Sequence, residues 1–169
     1  MCCLPVLVLV ASCTGVPEGV NTIEGFELDR YLGTWYEIAR LDHSFERGLS
    51  NVTANYSMRD DGGVRVINRG FDAAKGEWGE AEGKAYLVER PDMGRLKVSF
   101  FGPFYGGYNI IELDREGYRY SMVAGPDRSY LWILARTADL EQATIDRLVG
   151  MARDLGFPTD ELIYVEHQQ

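Results

Sequence analysis

Thiols, imidazoles and carboxylates carry most protein chemistry, and this 169-residue chain distributes them unevenly. Its three cysteines, Cys2, Cys3 and Cys13, all lie in the first 13 residues, so the rest of the chain offers no disulfide, thiolate nucleophile or cysteine metal site. His43 and His167 are the only histidines, too few for a histidine metal centre and a poor supply for a Ser-His-Asp triad. There is no GxSxG elbow, no glycine-rich phosphate loop opening a helix and no CxxC. Among the carboxylates, Asp60, Asp61 and Asp114 sit where turn chemistry explains them. Glu112 is the exception, because it shares the phase of Tyr108 and Ile110 and is expected to face inward with them. The residues therefore assign no catalytic group, no metal and no cofactor.

What they do supply is binding surface. Ten Tyr, seven Phe and three Trp give 12% aromatic content, and 46% of the chain is hydrophobic, enough to bury a core without staples. The net charge is −9 with no basic block, which excludes nucleic acid as a partner and favours a neutral or apolar ligand.

The N-terminus reads as an address. Leu4 to Ala11 is an apolar run too short to span a bilayer but suited to a signal-peptide core. The tetrad that follows, Val10-Ala11-Ser12-Cys13, resembles the lipobox of bacterial lipoproteins, in which the cysteine thiol is acylated. On that resemblance residues 1–12 are a lipoprotein signal peptide and Cys13 is the lipid anchor. Thr14 rather than Asp after the cysteine resembles the outer-membrane sorting pattern, which implies an envelope protein on the periplasmic face of the outer membrane. Residues 13–24 are rich in Gly, Pro and polar groups and read as a tether, leaving 25–169 as one domain.

Within that domain turn signals recur at roughly ten-residue intervals, the spacing of an antiparallel barrel or sandwich. Eight strand-like runs lie between them: Thr34 to Arg40, Val52 to Met58, Val64 to Arg69, Glu80 to Val88, Leu96 to Phe100, Tyr108 to Leu113, Tyr118 to Ala124 and Tyr130 to Arg136. Val64, Val66 and Asn68 share one face against Arg65, Ile67 and Arg69, so one face of the sheet is mostly apolar. From Asp139 the period changes to that of an amphipathic helix, with Asp139 and Gln142 as a capping box, Leu140, Ile145, Leu148, Ala152 and Leu155 on one stripe, and Gly156 as the stop. Leu162 to Glu166 reads as a short final strand. Consecutive strands followed by one helix do not build a parallel α/β sheet.

Three stretches carry a resemblance to the lipocalins, in particular to the bacterial outer-membrane lipocalins related to apolipoprotein D. Gly33-Thr34-Trp35-Tyr36 resembles the family's Gly-x-Trp motif, Ala124 to Tyr130 its second motif, and Arg136 its third. NVTANYS from Asn51 and SFFGPFYGGYN from Ser99 are similar to the bacterial branch. The resemblance implies an all-β, eight-stranded antiparallel up-and-down β-barrel with one C-terminal α-helix packed outside. It also implies that Gly33, Trp35 and Arg136 are structural. A guanidinium stacked on an indole at the closed end gains roughly 1–2 kcal/mol and plugs the floor.

If Arg136 faces inward at the floor, period two puts Leu134, Trp132 and Tyr130 on the same side, progressively nearer the mouth. By similarity to related lipocalins, the ligand-binding residues are Ala54, Tyr56, Val66, Asn68, Val98, Phe100, Tyr108, Tyr130 and Trp132. Asn68 is the sharpest of these, because an amide among valines needs a partner, either a ligand head group, a trapped water or a tyrosine hydroxyl. The loop His43 to Leu49 is expected as a lid with Phe45 and Leu49 near the entry, and Gly102 to Gly107 as a second rim loop presenting Phe104 and Tyr105.

The expected function is binding and storage or carriage of a hydrophobic small molecule, a fatty acid or lysophospholipid, by a protein that is not an enzyme. Burying fourteen methylenes at about 0.8 kcal/mol each gains about 11 kcal/mol before association costs, so a lipid tail alone can suffice. Two other readings stay open on the residues: an envelope enzyme acting on a lipid, with Glu112 as the group to test, and an interaction scaffold without a ligand. Monomer and homodimer are equally compatible with the sequence.

Overall fold

Period-two alternation becomes a closed barrel in the computed structural model, which describes residues 14–168. The expected signal peptide, 1–12, and the anchor Cys13 lie outside the described residues. Eight strands follow one another: β1 Gly33–Arg40, β2 Leu49–Met58, β3 Val64–Asp72, β4 Glu77–Leu87, β5 Arg95–Phe101, β6 Phe104–Leu113, β7 Tyr120–Ala124 and β8 Leu131–Ala135. Each pairs antiparallel with the next, and β1 closes the circuit by pairing with both β8 and β2. Up-and-down order puts the turns after β1, β3, β5 and β7 at one end, the mouth, and those after β2, β4 and β6 at the other, the floor.

The strands extend beyond the expected runs chiefly at the mouth, where β2, β4 and β6 begin three or four residues earlier. β7 starts two residues later than expected, because Tyr118 has φ of +51° and its N–H closes a turn on the Asp114 carbonyl at 2.9 Å. The last strand, β9, is only Ile163–Tyr164. It lies outside the eight-strand circuit and pairs with Ala39 and Arg40, the part of β1 beyond its last partner in β2. Asn51 N–H then bonds the Glu166 carbonyl, so the C-terminal segment bridges the gap between β1 and β2.

Two bulges decide which side chains face inward, since one extra residue flips the phase of everything beyond it. On β1 the register jumps from Glu37–Leu134 to Ala39–Ile133, so Ile38 and Ala39 turn outward while Glu37 and Arg40 share the inner side. On β6 it jumps from Ile110–Val123 to Glu112–Met122. This corrects the inward expectation for Glu112, whose carboxylate lies outside the barrel, 3.6 Å from Arg147 of the C-terminal helix.

That helix, α2, spans Gln142–Asp154. The expected capping box does not form: Glu141 is the N-cap without a side-chain bond, and Gln142 reaches forward to Asp146 rather than back. Its end follows the expectation, with Gly156 at φ +84° and the Phe157 N–H returning to the Ala152 carbonyl. Ile145, Leu148 and Ala152 are buried against Ile38, Met122, Ile133 and the fully buried alanines of β7 and β8. Burying each such large apolar side chain stabilises by about 1.5–3 kcal/mol, so the helix serves as a brace on the outside wall.

The stretch read as a tether is packed over its described part. Val20 and Ile23 are buried, Ile23 N–H and C=O bond Ile110 and Gly94, and Asn109 holds the Gly15 carbonyl at 2.9 Å. A one-turn helix, α1 (Leu28–Tyr31), which no sequence period announced, then crosses the floor and sends Tyr31 into the barrel.

Candidate functional site

The floor is built from the motif residues. Trp35 is fully buried, its indole N–H bonds the Tyr31 carbonyl at 2.8 Å, and the Arg136 guanidinium lies 3.9 Å from the ring centre. Arg136 also donates to the carbonyls of Thr34, Arg30 and Tyr118, so one planar fork ties β1, α1 and the β6–β7 turn together. Gly33 has φ of +95°, a conformation that a side chain strains, and a Cβ there would stand 3.4 Å from Arg136.

Above the floor three phenols cross the lumen. Tyr31 and Tyr56 each place a hydroxyl 2.9 Å from that of Tyr108, and Tyr31 donates to the fully buried Ser121 at 3.1 Å. Burial pushes the Tyr31 phenol up to about 12 and raises Tyr56 and Tyr108 as well, so the layer stays neutral. Tyr56 and Tyr108 thus form the bottom of the remaining space rather than its side wall.

At the mouth stands a buried polar cluster. Glu37 pairs with Arg40 at 2.7 Å, and Arg40 donates to the Glu46 carbonyl at 2.7 Å. His43 Nε2 is 2.9 Å from the Glu46 carboxylate, which also accepts the Trp132 indole N–H at 3.1 Å. Burial, reinforced by the Glu46 charge, holds Glu37 well above the usual carboxylate range despite Arg40. Burial also pushes Glu46 up, but the bonds from His43 and Trp132 outweigh it and leave that carboxyl below its usual value. Arg40 Nε and His43 Nδ1 are buried without a hydrogen-bond partner among the described residues.

Between the phenol layer and this cluster lies the lumen. Val66 is buried, while Ala54, Asn68, Val98, Phe100 and Trp132 face inward yet stay only half-buried. Register places Asn68 opposite Ala54 on one side and Ala81 on the other, and its amide makes no hydrogen bond among the described residues. The tyrosine hydroxyls that could have satisfied it are committed to each other. Phe100 lies flat over Gly83, where a Cβ would meet its ring at 2.8 Å. Tyr130, just before β8, stacks on Trp132 with ring centres 6.0 Å apart.

In the lid loop Phe45 is 68% exposed, and Leu49 packs on Gly70. Sequence reasoning passed over His43, Glu37, Arg40 and Glu46. Glu37 was readable, being two residues from Trp35 and so on the same face; Arg40 was hidden by the bulge at Ile38. No hydrogen bond joins His43 to a hydroxyl among the described residues.

A closed eight-stranded barrel with a plugged floor, an inward wall that stays partly accessible and a helix braced outside defines a lipocalin, and the chain belongs to the lipocalin family: the lipocalin-like domain matches residues 26–167. Among its relatives is the outer membrane lipoprotein Blc of Vibrio cholerae, 57% identical over 161 residues, covering 95% of this chain and 94% of that protein. Blc of Escherichia coli is 53% identical over 95% of this chain and 90% of its own length. Apolipoprotein D of Macaca fascicularis is 33% identical over 82% of this chain and 74% of its own. Insecticyanin from the tobacco hornworm Manduca sexta shares the fold at a TM-score of 0.72 and 20% identity, with 92% of this chain and 88% of that one covered.

Proposed function

We propose that the chain is a lipid-anchored envelope lipocalin, attached through an acylated Cys13 to the periplasmic face of the outer membrane. It holds a fatty acid or lysophospholipid in its lumen for storage or carriage and is not an enzyme. One observation carries the binding reading: Ala54, Asn68, Val98, Phe100 and Trp132 face inward at mid-wall yet remain accessible, as side chains do around open space. The reading of the location is supported by the Vibrio and Escherichia relatives, which are named outer membrane lipoproteins. The acyl tail lies among Ala54, Val66, Val98 and Phe100 above Tyr56 and Tyr108, with Trp132 and Tyr130 at the entry. The polar head meets Asn68 or the free donors of Arg40 and His43.

The catalytic alternative loses its candidate, since Glu112 points out of the barrel. Native mass spectrometry of residues 14–169 expressed in the cytoplasm tests the binding reading. A copurifying lipid, or saturable quenching of Trp132 fluorescence by added fatty acid or lysophospholipid, is the expected result. A ligand-free barrel that neither class of lipid quenches overturns it.

A further inference from the structure

β4 and β5 are joined only from Lys84–Ser99 to Leu87–Leu96, so residues 77–83 of β4 have no register partner in β5. The bulge in β5, between Val98 and Phe101, falls at the same point, and a bulge re-aims the side chains it carries. Where the two strands part, the wall holds a cleft of about 210 Å³. Its lining includes Arg59 from the β2–β3 turn, Glu82, Gly83 and Lys84 from β4, and Ser99 and Phe100 from β5. Lys84 is in register with Arg65 and Ser99 with Lys84, so both share the outer phase, opposite to Val64 and Val66.

Three donors in this lining are uncommitted. Ser99 is 4% exposed, and its Oγ is buried without a hydrogen-bond partner among the described residues. Of the chain's three lysines, Lys75 pairs with Asp72 at 3.3 Å and Lys97 lies 4.9 Å from the Tyr105 ring centre. Lys84 has no ion pair or hydrogen bond among the described residues. Arg59 binds Asp61 through Nε and Nη2, which leaves Nη1. The carboxylate in the lining, Glu82, is held by Arg65 through two bonds of 2.8 Å, so its charge is answered and that of Lys84 is not. A hydroxyl shut off from water and from protein partners marks a place where a further acceptor belongs.

We propose that this cleft is a phosphate-binding site formed by Ser99 Oγ, Lys84 Nζ and Arg59 Nη1. Three donors brought from three elements, two of them cationic, match the three terminal oxygens of a phosphate monoester, whereas a carboxylate offers two. The volume is below the roughly 300–1,000 Å³ of sites for drug-sized molecules and suits a head group or a small ester. With a net charge of −9, an anion settles here through these donors and not through a general positive field. The phosphate belongs either to a soluble ester or, since Phe100 also faces the lumen, to the head of a lysophospholipid. The second source rests on the lipid-binding reading above; the first does not.

Because the chain has only three lysines, limited acetylation of the full-length protein in detergent, read residue by residue by mass spectrometry, reports on the cleft directly. Inorganic phosphate and glycerol 3-phosphate are expected to slow modification of Lys84 several-fold and to leave Lys75 unchanged, relative to sodium chloride at equal ionic strength. Protection by lysophosphatidylcholine at a lower concentration than by glycerol 3-phosphate assigns the phosphate to a lipid head; protection by the soluble compounds alone assigns it to a free ester. Ser99→Ala removes the hydroxyl while keeping Lys84 as reporter, and is expected to raise the concentration for half-protection several-fold. Equal slowing at Lys75 and Lys84, or no protection by any of the three phosphate compounds, overturns the proposal. So does protection that Ser99→Ala leaves unchanged, since Lys84 would then be screened without a built site. Quenching of Trp132 by a fatty acid, measured on the same sample, keeps the two readings apart: quenching without protection of Lys84 removes this site and leaves the lumen as read.

Discussion

The indole N–H of Trp132 donates to the Glu46 carboxylate at 3.1 Å, and these two residues belong to opposite sides of the entrance: Trp132 to the barrel wall, Glu46 to the lid. His43 closes the same carboxylate from the lid side, and the Arg40 fork holds the Glu46 carbonyl. The lid is thus fastened by the same ring that lines the lumen. Ligand entry and lid position are coupled through one side chain, because any ligand that displaces the indole also unfastens Glu46.

Replacing Glu46 with Ala removes the acceptor of Trp132 and the partner of His43 but leaves the backbone bond to Arg40. Backbone amides 43–49 are expected to exchange with deuterium faster, while those of β3 to β6 stay protected, and Trp132 emission is expected to move to the red as the entrance opens. Unchanged exchange across 43–49 would mean that the lid is held by packing and not by this bond.

Among the described residues Arg40 is the only cation paired with Glu37, and it is almost fully buried. Arg40→Met leaves the Glu37 carboxylate buried beside Glu46 without its cation, and at pH 8 it is expected to cost about 3–5 kcal/mol in urea unfolding. The loss should shrink on acidification. Glu37 has a folded pKa raised above its ordinary 4.5, so its contribution is fully present below 4.5 and is lost as pH rises through the folded value. A penalty that stays constant from pH 8 down to 4.5 contradicts the assignment of the charge to Glu37.

Strand period, turn spacing and the helical stripe made the barrel and its brace readable, because each is a local property repeated along the chain. Trp132 and Tyr130 could be counted inward from Arg136 for the same reason. Counting failed wherever one residue was inserted: the extra Ile111 turned Glu112 out to Arg147, and the extra Ile38 hid Arg40 from the inner face. Tyr31 was invisible for another reason. It reaches the lumen from a one-turn helix whose position depends on Arg136 holding the Arg30 carbonyl, a contact between residues far apart in sequence.

The phenol layer has its own signature. Tyr108 is the shared partner of Tyr31 and Tyr56, so Tyr108→Phe leaves Tyr56 without a bond and Tyr31 with Ser121 alone. A cost of about 1–3 kcal/mol is expected for the stranded hydroxyl. Tyr31 has a folded pKa raised from 10.0 to about 12, so its contribution is complete below 10 and fades only as pH climbs through about 12. The loss in the variant should therefore be the same at pH 6 and pH 9, read by urea melts at both; a difference between them would show that one of the phenols ionises in the folded barrel.

Substitution at Asn68 tests ligand recognition apart from barrel stability. Its amide faces the lumen between Ala54 and Ala81 without a hydrogen bond to the described residues, so the folded protein gains nothing from its polarity. Asn68→Leu keeps the approximate volume, removes the desolvation cost and is expected to leave the unfolding midpoint unchanged or slightly higher. A ligand head group bonded to that amide loses its partner in the variant. Affinity for a lysophospholipid or fatty acid should then fall about tenfold, the equivalent of about 1.4 kcal/mol, while a plain hydrocarbon probe of the same length binds as before. Titration of Trp132 fluorescence with both kinds of probe makes the comparison within one protein. Equal affinity of variant and wild type for the polar lipid would move the head group up to the Arg40 and His43 donors at the mouth, and a fall for both probes would mean that Asn68 shapes the wall rather than reads the head.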